Sequence, residues 1–133
     1  VTIGPKQSKL TAVEERAAYA AATERDVDTC QRCRRDCGPT ARDHRQNRRP
    51  GNTIPENLQV LGLRCHIWKT EHPMDAVAEG WSVPAWGDPR GWPARRWVPT
   101  ALGFSHLSWV LYVGKGWEVI SEARALQIME GTK

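Results

Sequence analysis

The sequence predicts a small α+β protein, and three observations carry that prediction. The segment "TAVEERAAYAAATERD" is rich in Ala and Glu and reads as a helix, while "SHLSWVLYVGKGWEVIS" reads as a β-hairpin. Three of the four cysteines, Cys30, Cys33 and Cys37, crowd into eight residues. That spacing suits a metal knuckle better than a disulfide framework. At 133 residues the chain can bury one modest core, and such chains often draw part of their stability from a metal or a partner.

Taken in order, residues 1–10 read as a flexible lead. Thr11 and Glu14 have the spacing of a capping box, which places a helix over 12–26. Its apolar face is mostly alanine, so it can pack closely against something larger. The chain then divides into this N-terminal part (1–27), a central unit (28–79) and a C-terminal extension (80–133). Within the central unit, "RRPGNTIPEN" is a loop of turn formers. "LQVLGLRCHIWKT" resumes an apolar pattern, and Pro73 can open a short helix, "PMDAVAEG", as its first residue.

From Gly80 to Trp97 four tryptophans are interleaved with prolines, which argues against both helix and central strand. The expectation is an extended arm whose tryptophans plug into the core surface, with stacking on nucleic-acid bases as the rival role. The hairpin that follows turns at Gly114-Lys115-Gly116, and a short helix closes the chain over about 121–130.

Formal net charge is +4, and its distribution matters more than its total. Between residues 32 and 49 lie seven arginines, Arg32, Arg34, Arg35, Arg42, Arg45, Arg48 and Arg49, against two acids. Clustered arginine is the footprint of a polyphosphate ligand, because each phosphate contact releases condensed counterions. The plain alternative is a solvated charged loop. No apolar run approaches the roughly 20 residues that a membrane-spanning helix needs. The first residues lack a signal-peptide pattern, so a cytoplasmic protein without a membrane partner is expected.

Within the central unit come "CQRC", "RDHR" and "NLQVLGLRCHIWKTEH". These elements, in this order and at this spacing, resemble the HNH endonucleases over residues 28–73. The surrounding phrasing, "DHRQNRRPGNT" through "EGWSVP", resembles small HNH proteins of bacteriophages that infect actinobacteria. The resemblance implies a ββα-metal (His-Me finger) core that hydrolyses DNA phosphodiester bonds. His44 is then the general base, a task suited to a side chain that titrates near neutrality. Asp43 and His66 match the ligands of one catalytic divalent cation (Mg, Mn, Ni or Zn). Asn57 pins the loop and orients the base, and Lys69 faces the phosphate backbone. Neighbouring strand residues point to opposite faces, so a twist or local irregularity is needed to bring Asp43 and His44 to one metal.

The seven arginines would position DNA through phosphates, giving affinity with little sequence preference. The implied setting is phage genome processing or packaging in the host cytoplasm, with the terminase as a candidate partner. Two rivals use the same residues: a non-catalytic zinc-stabilised module that binds DNA or protein, and a nuclease acting on RNA. His72 and His106 fall outside the pattern. In one respect the chain departs from it. Zinc-stabilised relatives carry a second C-x-x-C before the final histidine, and here its first position is Gly62. Structural zinc wants four ligands, so Cys37 is predicted to complete a site with Cys30, Cys33 and Cys65. The alternatives are three cysteines with water or histidine, or four reduced, packed thiols.

Overall fold

The computed structural model describes residues 9–131, and the lead predicted for residues 1–10 lies almost wholly outside them. Helix α1 spans Ala12–Asp26, as its capping box predicts. The Glu14 N–H donates to Thr11 Oγ1 (3.1 Å) and the Thr11 N–H to Glu14 Oε1 (3.0 Å). Its alanine face lets the helix axis come close: Ala18 and Ala22 pack directly on Leu58. The helix ends at Val27, whose φ of 53° is the left-handed C-cap conformation.

Strand β1 (Thr40–His44) pairs antiparallel with β2 (Leu58–Gly62), in register from Thr40↔Gly62 to His44↔Leu58. A single turn of 3-10 helix, Pro55–Asn57, leads into β2, and all five residues of β2 are buried. From Gly62 the chain passes without a loop into helix α2 (Leu63–Glu71), and Pro73 opens helix α3 (Pro73–Ala78). The order hairpin, then helix, is thus built from consecutive chain.

The second sheet is larger than the predicted hairpin. It has three antiparallel strands, β3 (Ala94–Pro99), β4 (Ser105–Val113) and β5 (Gly116–Ile120), with β4 in the centre. Helix α4 (Glu122–Gly131) follows. The end of the Trp/Pro-rich stretch is therefore a strand, where an extended arm was expected. Proline is tolerated there because β3 is an edge strand and Pro99 is its last residue. The result is an α+β architecture of four helices and two small antiparallel sheets. Among the described residues no helix is long and apolar enough to cross a membrane.

The arm (81–93) folds back over the segment that follows β1. Trp81 and Trp92 are each only 3% exposed, so these two do plug into the core, whereas Trp86 is 65% exposed. Buried polar residues fasten the two sheets together. Asp26, 2% exposed, accepts from Arg25 Nε (2.7 Å), Arg96 Nη1 (2.9 Å) and the Val60 N–H (3.0 Å). The ring of Tyr112 from β4 has the guanidiniums of Arg25, Arg45 and Arg96 at 4.1, 5.2 and 5.7 Å. Each is within range of a cation–π attraction.

Candidate functional site

The four cysteines come from three places: the turn after α1 (Cys30, Cys33), the lead into β1 (Cys37) and α2 (Cys65). Their sulfurs all lie within 4.8 Å of one another, and none is in a disulfide. In a tetrahedral zinc–thiolate site with Zn–S near 2.3 Å, sulfurs sit roughly 3.8 Å apart. Cys37 Sγ and Cys65 Sγ are 3.9 Å apart. The cluster could therefore hold a metal such as zinc.

Gly62 explains why Cys37 can serve. A Cβ on residue 62 would run into Cys37 Sγ, so the volume of a side chain at 62 is taken by the sulfur of residue 37. The electrostatics fit a cation as well. Burial would raise the Cys30 thiol, but backbone N–H groups of Cys33, Gly62 and Arg32 outweigh it and bring the pKa to about 7. Burial pushes Cys65 up to about 12. Four thiolates so close together need a cation between them to ionise.

On the other side of α2 lies a cleft of about 760 Å³, bordered by Arg42, Asp43, His44, His66, Lys69 and the arm residue Ala85. Asp43 is buried, and its carboxylate is the hub of the site. His66 Nδ1 lies 2.8 Å from Oδ1, while Lys69 Nζ (2.7 Å) and Gln59 Nε2 (3.0 Å) donate to Oδ2. His44, the last residue of β1, lies against the edge of Tyr19 from α1, with its Nε2 3.0 Å from Thr53 Oγ1. The strand alternation holds: Asp43 is directed to α2 and His44 to α1. Both still border one cleft, because in a two-stranded sheet β1 is itself an edge. Burial lowers the His44 pKa, and the positive charges of Arg48 and Lys69 add to that effect. These effects favour the neutral form of the ring over the imidazolium.

Asp43 and His66 share a hydrogen bond, so a divalent cation bound by both would have to take the place of the proton between them. Cis ligands at about 2.1 Å in an octahedral shell lie roughly 3 Å apart, close to the 2.8 Å between Asp43 Oδ1 and His66 Nδ1. With two protein ligands, most of the shell would be water or substrate oxygen.

Asn57 is fully buried and holds the loop that follows His44. Its Oδ1 accepts the Gln46 N–H (2.8 Å), and its Nδ2 donates to the carbonyls of Gln46 (3.1 Å) and Asn52 (3.0 Å). Gln46 in turn donates through Nε2 to the carbonyls of Pro84 and Gly87, tying the arm to the same loop.

Three of the expected phosphate contacts are engaged within the protein and need correction. Arg45 is 1% exposed, and its guanidinium donates to the carbonyls of Glu56, Pro89, Trp92 and Pro93. Burial brings its pKa down to about 10. It is a core strut, not a DNA contact. Lys69 Nζ does not face outward, because it bonds Asp43 and the His44 carbonyl, each at 2.7 Å. Arg32 stacks 3.6 Å over Trp68 and approaches Cys65 Sγ (3.6 Å), so it braces the cysteine cluster. Arg34, Arg35, Arg42, Arg48 and Arg49 remain exposed, and of these Arg42, Arg48 and Arg49 border the cleft. His72 and His106 are exposed and lie outside the cleft.

Thr53, Gln59, Gln46 and Asp26 escaped the sequence reading. Each is polar and fully buried, and only the neighbours supplied by folding give them a role. Compared with known proteins, the chain matches no family model, no curated protein and no solved structure.

Proposed function

We propose that this chain is a metal-dependent DNA endonuclease of the HNH type, with β1, β2 and α2 as its ββα-metal core and zinc in the four-cysteine cluster. One observation carries the reading. Asp43 and His44 end the first strand of a hairpin, and the helix following the hairpin brings His66 to within 2.8 Å of Asp43, all on one cleft rimmed by arginines. In this reading Asp43 and His66 would hold a divalent cation, which supplies charge neutralisation on the phosphate and leaving oxygen. His44 takes the proton from the attacking water, and its lowered pKa keeps it free to do so. Lys69 holds Asp43 from one side and the His44 carbonyl from the other, which sets the spacing between ligand and base. Arg42, Arg48 and Arg49 place the phosphate backbone across the cleft.

The test is to incubate the purified protein with supercoiled plasmid, linear DNA and RNA, with and without Mn²⁺. Metal-dependent nicking of DNA that disappears in His44→Ala supports the proposal. Salt-sensitive binding without cleavage would favour the non-catalytic module instead, and preferential RNA cleavage would change the substrate.

A further inference from the structure

His44 touches one side-chain hydroxyl, and that contact is held from both directions. Thr53 Oγ1 lies 3.0 Å from His44 Nε2, and Thr53 is 1% exposed. The residues on either side of Thr53 are fixed by Asn57: its Nδ2 donates to the Asn52 carbonyl (3.0 Å), and its backbone N–H to the Ile54 carbonyl (2.9 Å). Asn52 is locked again by the Arg49 N–H (2.9 Å) and the Asn47 carbonyl (2.9 Å). Threonine is also stiff about χ1 because it is branched at Cβ. Among the described residues, His44 Nδ1 has no hydrogen-bond partner.

We infer that Thr53 is a positioning residue: it accepts the Nε2–H of His44 and thereby reserves Nδ1 as the nitrogen that receives the proton from water. The inference rests on the nuclease reading for the identity of that proton. A neutral imidazole has one donor and one acceptor nitrogen, and its partner sets which is which. A hydroxyl can play either part, but only the accepting role serves both the neutral ring and the imidazolium. The Nε2–H···Oγ1 bond then persists while one proton passes from water to Nδ1, leaving hydroxide to attack phosphorus. The opposite arrangement, with Thr53 donating to Nε2, would place the N–H on Nδ1 and engage the only acceptor nitrogen, leaving the ring with no free nitrogen to take a proton.

The experiment records ring nitrogen NMR signals of His44 at a pH where the ring is neutral, for wild type, Thr53→Ser and Thr53→Val, beside kcat and KM on an oligonucleotide duplex. Wild type and Thr53→Ser should show Nε2 protonated and Nδ1 bare. Thr53→Val should show mixed tautomers, with kcat down about 10–100-fold and KM unchanged, and Thr53→Ser should restore most of the rate. A wild-type ring protonated at Nδ1 overturns the inference, as does a Thr53→Val enzyme with undiminished kcat. If Thr53→Val fails to fold, the wild-type spectrum alone decides. Absence of cleavage by wild type would overturn the nuclease reading, and the spectrum would still decide whether Thr53 sets the tautomer.

Discussion

Cys65 and His66 are neighbours on α2, yet they belong to two regions with different physics. Cys65 is 4% exposed and faces a cluster of sulfurs that closes on itself. The side chain of His66 is 52% exposed and opens onto a cleft. The first region is closed: the chain supplies four sulfurs, enough to fill a tetrahedral shell, so a metal there would hold structure. The second is open to solvent, and under the proposed nuclease reading a cation there would keep positions for water and substrate. Placing both on consecutive residues of one helix means that whatever fixes the cysteine cluster also fixes the height and rotation of His66. Asp43 joins the contrast from β1, buried like a structural group but bonded to the exposed histidine.

The largest effect should come from opening the closed region. Structural zinc in small modules supplies about 10–16 kcal/mol of apparent binding energy, so Cys37→Ser or prolonged chelation should abolish the cooperative thermal transition. Elemental analysis should find about one zinc per chain in wild type, as a four-thiolate site requires. Zinc retained unchanged in Cys37→Ser would remove Cys37 from the site.

The open region should behave in the opposite way. His44→Ala is expected to lower cleavage by about 10²–10⁴-fold, with the melting temperature and duplex affinity close to wild type. Activity within a few-fold of wild type would end the assignment of His44 as base.

Arg45 sharpens the comparison because it lies beside His44 in sequence but works as structure. Arg45→Ala strands four carbonyls and empties a large buried volume, and should cost about 3–5 kcal/mol in denaturant titration. An unchanged midpoint would mean that the guanidinium is not the strut described.

Arginines on the cleft rim should show their effect in salt rather than in stability. If Arg42, Arg48 and Arg49 each meet one phosphate, log K for a short duplex should fall with log[salt] at a slope of roughly −3. Glutamine at Arg48 and Arg49 together should flatten that slope by about two, and an unaltered slope would move the DNA path elsewhere.

Smallest is the effect expected at Trp86. Trp81→Ala should cost about 3–5 kcal/mol because its ring is buried, whereas Trp86→Ala should stay within about 0.5 kcal/mol, as exposed positions usually do. A large loss at Trp86 would show that its ring packs on something not accounted for.

Local signals were sufficient for much of this. The capping box determined α1, Pro73 determined the start of α3, and the Gly114-Lys115 turn determined the β4–β5 hairpin, because each depends on residues a few positions apart. The cysteine grouping was legible too, since three of the four ligand candidates are close in sequence and Gly62 marked the missing one. Contacts between distant residues decided the rest. Nothing in "ARRW" announces an edge strand until β4 is there to pair with it. Arg45 reads as one more surface arginine until the arm, more than forty residues on, brings carbonyls to it. The bond between Thr53 and His44 likewise waits on Asn57 to hold the loop. Charge and hydropathy report what a side chain prefers in water, but burial with partners is conferred by the whole fold, and it turned a basic residue into a strut and a loop threonine into a neighbour of His44.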